Sequence, residues 1–217
     1  MKRVIALSFL CCLWLGMSSF EIKNKDKTKK AKTEKNLEKW RMDPDHSSIG
    51  FTATHLLISE VEGKFKDFEV TVDVNRDDFV DSKFKVLIQT NSVDTDSRTR
   101  DNHLKSEDFL NVDKFPTMEF ESTMFKWDGT KRFKMKGYLT LNGVKHLEEF
   151  EVKYGGSIID PIDGKEKAGF KIRGEINRYD YGLKWNIAEA AENFAVGEMV
   201  EIECNLRLIR EPSTEIN

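Results

Sequence analysis

Residues Phe133–Tyr154, FKMKGYLTLNGVKHLEEFEVKY, have the pattern of two strands joined by a tight turn. From Phe133 to Leu141, apolar residues alternate with charged or polar ones, which is typical of a strand with one buried face. Asn142-Gly143 follows, and this pair between two alternating runs is the strongest short-range signal for a β-hairpin. The second run, Val144–Tyr154, returns with its apolar residues mostly on one side. The stretch therefore predicts a long antiparallel strand pair.

The same period of two recurs along most of the chain from Trp40 to Leu208. About eight strands are expected, each with one apolar and one charged face. Such a sheet hides its apolar face by curling shut, so the sequence predicts an all-β fold, an eight-stranded antiparallel β-barrel. A two-sheet sandwich is the alternative. The further alternating runs are Ile49–His55, Phe68–Val74, Phe84–Ile88, Met118–Ser122, Phe170–Ile176 and Val200–Leu208.

Strand length and two glycines favour a barrel with space inside. The runs Val61–Val74 and Val144–Tyr154 exceed the usual strand of about five or six residues, and long tilted strands suit a deep barrel. Gly137 and Gly174 lie mid-strand on apolar faces, where a missing side chain leaves room for a close neighbour or a ligand. The interior of an eight-stranded barrel is either filled by side chains or wide enough for one small ligand.

One segment, Thr99–Phe120, interrupts the alternation. Its residues from Asp101 to Leu110 fall in helical order, so a short helical insertion is expected near residues 100–110. Asp101 suits the position that caps this helix. Interruptions of this kind usually cap something in the fold, and we expect the same of this segment.

The first 39 residues differ in composition from the rest. Residues 1–18 have the build of a secretory signal peptide, with Lys2 and Arg3 before an apolar run, and cleavage is expected after Ser18 or Ser19. Residues 19–39 hold eight Lys and four acidic residues and predict a flexible tether. The barrel domain is expected over 40–211, followed by a C-terminal tail at 212–217. The predicted location is the periplasm or the exterior of a bacterial cell.

Cysteine usage fits export without a disulfide. Cleavage of the signal removes Cys11 and Cys12 and leaves Cys204 alone. Cys204 continues an alternating apolar face, so it is predicted to be a buried small hydrophobe rather than a reactive thiol. Bulky residues before Cys11 disfavour lipid attachment there.

The charge distribution limits the partners. The chain carries −3 overall, whereas residues 40–217 carry −9. A domain this acidic argues against nucleic acid as a partner. The basic tether is expected to act as a spacer, and weak contact with an anionic membrane surface is the alternative.

No motif for metal binding or catalysis is present in the sequence. The histidines at 46, 55, 103 and 146 have neither metal-ligand spacing nor cysteine neighbours. No nucleophile stands beside a base, and the many carboxylates fall on the outward faces of strands. We therefore expect a protein that is not an enzyme, although an enzyme with His55 or His103 as base is the weaker alternative.

Five segments in this order resemble the YceI-like family of exported bacterial proteins, a polyisoprenoid-binding, lipocalin-like group. The resemblance covers about Trp40 to Arg210 and includes the hairpin quoted above. The segments are DPDHSSIGFTATHLLISEVEGKF, SVDTDSRTRDNHLKSEDFLNVDKFPTMEFES, GYLTLNGVKH, AGFKIRGEINRYDYGLKWN and VGEMVEIECNLRL.

The resemblance implies a lipocalin-like barrel with an elongated apolar cavity that binds a long amphiphile such as a polyprenyl compound, a quinone-like lipid or a fatty amide. It implies no reaction and no required cofactor beyond such a bound lipid. A homodimer is a further candidate assembly. The polar residues expected at the ligand are His55, Arg100, Asp101, His103, Arg178 and Asp180. The apolar residues expected there are Phe51, Ala53, Phe65, Val86, Ile88, Phe120, Phe170, Ile172 and Trp185.

Two functions follow from a barrel of this kind. The first is a periplasmic carrier, since burying a hydrocarbon tail stabilises a complex by about 25 cal/mol per Å². The alternative is a barrel with a filled interior that acts through its surface as a stress-response or electron-transfer partner. For Arg178 and Asp180, an internal ion pair and a head-group contact are both open.

Overall fold

The computed structural model describes residues 37–74, 79, 82–127, 130–186 and 196–212. The expected signal peptide, the tether up to residue 36, the loop Ala188–Phe194 and the tail from residue 213 lie outside these ranges. Within them, no helix is long and apolar enough to cross a membrane.

The described part of the chain forms eleven strands and one α-helix. The first strand begins at Glu38, so Glu38 and Lys39, which were expected in the tether, pair with Val74 and Asp73. The strands are β1 (Glu38–Met42), β2 (Ser48–His55), β3 (Ser59–Phe65), β4 (Phe68–Val74), β5 (Lys83–Gln89), β6 (Val93–Asp94), β7 (Thr117–Trp127), β8 (Arg132–Leu141), β9 (Val144–Ile159), β10 (Glu166–Asn177) and β11 (Val196–Arg210), and the helix is α1 (Arg98–Lys105).

Eight of these strands close into a ring, which confirms the predicted barrel. The order around the ring is β1-β4-β5-β7-β8-β9-β10-β11, and β11 pairs with β1 again. All of these pairs are antiparallel, and Trp40 opposite Arg210 closes the ring. The remaining strands extend it, since β2 continues from β1 along β11, β3 pairs with β2, and the two-residue β6 pairs with β3.

The alternation in sequence accounts for these strands. In β8, every second residue from Phe133 to Leu141 is buried, because successive side chains point to opposite faces of the sheet. Asn142 and Gly143 form the predicted β8–β9 turn, with φ of 52° and 74°. The outward face is charged, with ion pairs such as Lys134 to Glu149 at 2.6 Å.

The run Val61–Val74, predicted as one long strand, is two strands, and that prediction was wrong. The chain changes neighbours at Lys66 and Asp67, where the Lys66 N–H donates to Ser92 and the Asp67 carbonyl accepts from Gln89. Strand β3 therefore pairs with β2 and β6, whereas β4 pairs with β1 and β5. The inward positions also change from odd to even numbers between Phe65 and Phe68, and this shift marks the break in the sequence.

The mid-strand glycines make room for phenylalanine rings. A Cβ built on Gly137 would lie 2.4 Å from Cζ of Phe120, and one on Gly174 would lie 2.6 Å from Cδ1 of Phe150. The space beside both glycines is thus taken by a close neighbour from the adjacent strand, and no room is left there for a ligand.

Aromatic side chains fill the half of the barrel near the start of β1. Phe79 contacts the rings of Trp40 and Phe170 in edge-to-face geometry, at centroid distances of 5.1 and 5.0 Å. Phe84 contacts Phe170 at 5.6 Å, and both phenylalanines are at most 4% exposed. This cluster is a packed core. Cys204, on the inward face of β11, is buried, and burial raises the pKa of its thiol to about 12.

The helix α1 lies between β6 and β7 and covers the opposite half of the barrel. It ends at Lys105, earlier than the expected Leu110, because Ser106 adopts an extended conformation and its Oγ donates to the His103 carbonyl at 2.8 Å. Residues 106–116 continue as turns that lead into β7.

Candidate ligand cavity

A cavity of ≈ 120 Å³ lies inside the barrel on the side that α1 covers. Fourteen of its fifteen lining residues are apolar, and the exception is Arg178. They come from β2, β3, β6, β10, β11, the start of β7, the end of β8, α1 and the segments that follow α1 and β10. The lining residues are Phe51, Ala53, Phe65, Val93, Leu104, Phe109, Leu110, Met118, Leu141, Ile176, Arg178, Leu183, Val196, Val200 and Ile202.

The β2–β3 hairpin forms one wall through a close aromatic contact. The Phe51 ring lies over Gly63 of the neighbouring strand, where an added Cβ would be 2.3 Å from Phe51 Cζ. Phe65 packs against the same ring with a centroid distance of 5.7 Å. Because Gly63 has no side chain, Phe51 can lie flat along the wall beside Ala53.

Arg178 forms a buried part of the wall and is 3% exposed. Its Nε donates to the Gly197 carbonyl at 2.8 Å, NH1 donates to the Leu183 carbonyl and to the Trp185 carbonyl at 3.0 Å, and NH2 donates to the Val196 carbonyl at 3.0 Å and to the Tyr179 hydroxyl at 3.4 Å. These bonds use all five donors of the guanidinium. Burial lowers the pKa of Arg178 from its ordinary value, yet the group stays charged at neutral pH.

The expected ion pair between Arg178 and Asp180 does not form. Asp180 is exposed on the turn after β10, while Arg178 points into the barrel and bonds to backbone carbonyls and the Tyr179 hydroxyl. A head-group contact by Arg178 would require breaking one of these bonds.

The turn that carries Arg178 is fastened to the β8–β9 hairpin. The Tyr181 hydroxyl donates to Glu148 Oε1 at 2.5 Å, and the Asn142 side-chain amide donates to the Tyr181 carbonyl at 3.1 Å. Tyr181 is fully buried, and burial together with the Glu148 carboxylate raises the pKa of its phenol. The turn is therefore held rigidly beside the cavity.

Three rings stand at the mouth of the cavity. The His103 ring contacts Trp185 edge to face at 4.7 Å and Phe109 at 5.1 Å, and Phe109 itself lines the cavity. His103 Nε2 lies 2.9 Å from Asp108 Oδ2. At this cluster the apolar interior therefore meets a polar, partly exposed pair, His103 and Asp108.

Arg100 and Asp101 fasten α1 to the segment before it. Asp101 Oδ1 accepts from the Thr95 N–H at 2.8 Å and from the Thr95 hydroxyl at 2.6 Å. Arg100 Nε donates to the same hydroxyl at 2.8 Å and its NH2 to the Thr95 carbonyl at 2.7 Å. These side chains position the helix and do not line the cavity.

The structure divides the predicted ligand residues into three groups. Phe51, Ala53, Phe65 and Arg178 line the cavity, and His103 and Trp185 stand at its mouth. His55 ends β2, where its carbonyl accepts from the Ser59 hydroxyl at 3.2 Å, and it does not line the cavity. The other predicted residues also lie outside it: Val86, Ile88, Phe120, Phe170 and Ile172 in the packed interior, and Arg100, Asp101 and Asp180 on the surface of the α1 end.

The sequence analysis missed eleven lining residues, and two of them share a strand face with a residue that it did select. Met118 precedes Phe120 by two positions, and Ile176 follows Ile172 by four, so the period of two could have found them. Leu104, Phe109 and Leu110 lie in the helical insertion, which was expected to cap something. The full set is Val93, Leu104, Phe109, Leu110, Met118, Leu141, Ile176, Leu183, Val196, Val200 and Ile202.

The cavity volume limits what fits without rearrangement. An apolar cavity of about 150 Å³ binds benzene or xenon, so ≈ 120 Å³ holds a fragment of that size. A longer chain has to move side chains at the α1 end, where partly buried Phe51, Leu104 and Val200 pack against the core. Among the described residues, no three His, Cys, Asp or Glu side chains are placed to hold a metal ion.

A closed eight-stranded antiparallel barrel with one short helix and an apolar cavity defines a lipocalin-like β-barrel. A family model for the YceI-like domain matches residues 40–208, and the chain belongs to this family.

Proteins of known sequence and structure agree with this assignment. UPF0312 protein SA2479 of Staphylococcus aureus (strain N315) is 35% identical over 163 residues, which are 75% of this chain and 92% of that protein. A crystal structure of the Campylobacter jejuni YCEI protein matches with a TM-score of 0.62 and 30% identity, over 73% of this chain and 90% of that one. A polyisoprenoid binding domain from Saccharophagus degradans shares the fold, with a TM-score of 0.59 and 12% identity, over 79% of this chain and 98% of that one.

Proposed function

We propose that this protein binds the apolar tail of a long amphiphile, such as an isoprenoid lipid, in the α1 half of its barrel and carries it in the periplasm. The observation that carries this proposal is the cavity itself, whose wall is apolar on all sides except at Arg178. A structural neighbour from Saccharophagus degradans is described as a polyisoprenoid binding domain, which supports the same ligand class. No catalytic step is part of the proposal.

Affinity in this site would come from the tail. Hydrocarbon removed from water contributes about 25 cal/mol per Å², so a tail needs no hydrogen bond to be held. All five N–H groups of Arg178 already have acceptors, so the head group would stay at the mouth, near His103 and Trp185. Selectivity would then depend on the cavity length and on this aromatic cluster.

The size of the cavity predicts how loading proceeds. Because ≈ 120 Å³ admits only the end of a chain, the remainder has to displace Leu104, Phe109 or Leu110 as it enters. These residues follow one another on α1 and the turn after it, so a single outward movement of this segment would lengthen the cavity.

Native mass spectrometry of the exported protein, followed by solvent extraction, tests the proposal. A stoichiometric adduct with a prenyl or long alkyl mass supports a carrier and identifies its cargo. A mass without adduct from several preparations would favour the barrel that acts through its surface, an alternative consistent with the aromatic cluster that fills the other half of the interior.

Ala53→Phe is the matched variant for this test. It adds a ring of about the size that such a cavity accepts, so bound lipid should fall roughly tenfold while the fold is retained. The control is Thr52→Phe, the same ring on the opposite face of β2, which should leave lipid content unchanged. Equal lipid content in both variants would contradict binding at this cavity. Circular dichroism checks that both remain folded.

A further inference from the structure

Three consecutive apolar residues are exposed at the tip of the β2–β3 hairpin. Leu56 is 47% exposed, Leu57 62% and Ile58 87%. They form a patch, which we name the hairpin tip, at the end of a strand pair that extends beyond the closed ring. Among the residues that the structure describes, β3 has a second neighbouring strand only at Lys64 and Phe65, where it pairs with β6.

The backbone of the hairpin tip is strained. Leu56 and Leu57 have φ of 51° and 61°, and the Ile58 N–H donates to the His55 carbonyl at 3.3 Å. Positive φ at both central residues of a turn is the geometry that Asn-Gly and Asp-Gly favour. Leucine in this conformation is an outlier, because its Cβ crowds the following carbonyl.

Another turn of this chain has positive φ at residues that adopt it without strain. The β8–β9 turn has φ of 52° and 74° at Asn142 and Gly143, nearly the values of the hairpin tip. The β2–β3 turn could therefore adopt the same backbone with the usual residues. Leucines there cost stability and expose apolar surface, and strain of this kind clusters at functional sites.

The hairpin tip follows directly on a strand that forms part of the cavity wall. His55, which precedes it, pairs with Val196, and Ala53 lies two residues earlier on the same strand. Both Val196 and Ala53 line the cavity. A second exposed apolar tip, at Ile158, Ile159 and Ile162 of the β9–β10 turn, lies at the opposite end of the barrel, so it provides an internal comparison.

We propose that the hairpin tip inserts shallowly into the surface of a neutral phospholipid bilayer, which places the cavity mouth at the membrane where an apolar ligand would enter or leave. The transfer of a ligand at the membrane rests on the proposed function. The insertion of the hairpin tip does not, because it needs no bound ligand. Residues at an interface bury their apolar side chains about 5–10 Å into the boundary between head groups and acyl chains.

Size and charge favour a bilayer over a protein partner. Three side chains at a narrow tip cover far less than the roughly 800 Å² that each partner buries in a stable protein interface. The domain from residue 40 onward carries −9, and Glu60 and Glu198 are exposed near the hairpin tip, so anionic lipid would repel this end. A zwitterionic surface fits the apolar tip without that repulsion.

Co-sedimentation with pure phosphatidylcholine vesicles tests the proposal. Because these vesicles contain no anionic lipid, the Lys-rich segment 19–36 is not attracted to them by its charge. The test variant is Leu56→Asn with Leu57→Gly, which copies the β8–β9 turn. We expect its partition coefficient to fall roughly tenfold, because two apolar side chains are lost. Its Tm should be unchanged or higher, because the turn strain is relieved.

The control variant is Ile158→Ser with Ile159→Ser, which removes two exposed apolar side chains at the opposite end and should leave partitioning within about twofold of wild type. Equal partitioning of wild type and the Leu56→Asn, Leu57→Gly variant would overturn the proposal, as would a wild-type protein that does not sediment with vesicles. Loss of self-association in ultracentrifugation, with no effect on vesicles, would instead assign the hairpin tip to contacts between copies. Vesicle binding, together with a native mass that shows no lipid adduct in several preparations, would support the docking surface while contradicting the carrier.

Discussion

At the scale of single residues, Arg178 is the most constrained group beside the cavity. It lies almost fully buried, and its hydrogen-bond acceptors among the described residues are four backbone carbonyls and one hydroxyl, with no carboxylate. These carbonyls belong to Gly197, Leu183, Trp185 and Val196, so a single side chain joins the turn after β10 to the start of β11. Arg178 thereby shapes the cavity wall.

Replacing Arg178 by Met should lower the free energy of unfolding by about 3 kcal/mol, because four backbone carbonyls lose the hydrogen bonds that the guanidinium donates. Urea unfolding followed by fluorescence measures the change. The control is Arg173→Met, which removes an exposed ion pair to Glu203 and should cost less than about 0.5 kcal/mol. A midpoint for Arg178→Met equal to that of the control would show that the carbonyls are satisfied without the guanidinium.

The hydrogen-bond partners of Arg178 could not be predicted from the sequence. The sequence presents Asp180 two positions away, and an ion pair is the simplest expectation from charge. A backbone carbonyl gives no signal in the sequence, because every residue has one. The actual partners depend on how the chain turns after Asn177.

At the scale of elements, α1 is held in place by the Thr95 contacts of Arg100 and Asp101 rather than by a buried face. No residue of α1 is buried, and Leu104 is its apolar contact with the core and the cavity. Isolated helices of eight residues are unstable in water, so the side-chain bonds to Thr95 decide whether this one forms.

Asp101→Ala should lower the free energy of unfolding by about 1.5 kcal/mol, because the buried Thr95 N–H and hydroxyl lose their acceptor. Hydrogen exchange should rise selectively in α1 and in the turns up to residue 116. Asn102→Ala, on the exposed side of the same helix, is the control and should change stability by less than about 0.5 kcal/mol. Uniform exchange rates across α1 in both variants would contradict this role for Asp101.

Regular elements could be predicted from the sequence, whereas the β2–β3 turn could not. The alternation from Phe133 to Leu141 located β8, and Asn142-Gly143 located its turn, because both carry a strong local signal. The β2–β3 turn at Leu56 and Leu57 has no turn residues, and the three consecutive apolar residues there give no signal for a turn. Functional or strained sites are where local rules fail.

At the scale of the whole molecule, closure of the ring depends on one junction between β1 and β2. Asp43 lies there, 6% exposed, and its Oδ2 accepts from Arg207 Nε at 2.8 Å, while its own N–H donates to the Arg207 carbonyl at 2.7 Å. Ser47 Oγ donates to the same carbonyl at 3.3 Å. Because of this junction, β1 and β2, which follow each other in the chain, both pair with β11.

The pH dependence of stability should reveal this junction. Burial would raise the pKa of Asp43, but hydrogen bonds from His46 and Arg207 outweigh it and lower the pKa below its ordinary value. The charged form therefore stabilises the fold above about pH 3.9, and this contribution is lost as the pH falls through the lower pKa of the folded state. Asp43→Asn should thus be less stable than wild type at pH 7, and the two should converge below about pH 3.9. A constant difference in unfolding free energy between pH 7 and pH 2 would contradict this assignment.

The sequence could predict the inward faces of the barrel but not which half is filled. Phe170 and Ile172 face inward as Phe51 and Ala53 do, yet the first pair lies in the packed half and the second lines the cavity. The difference depends on strand tilt and register, which decide the positions that lie at one level of the barrel. A period of two carries no information about that level.

The pairing of β1 with β11 also determines the order in which the protein can fold. Glu38 and Arg210, which bond across this seam, are 172 residues apart, so the ring closes through one of the longest-range contacts that the chain can make. Contacts of high sequence separation slow folding, because the intervening chain has to be ordered first. The first strand therefore has no permanent neighbour on one side until the last strand has been synthesised. The ring can therefore close only when both β1 and β11 are present.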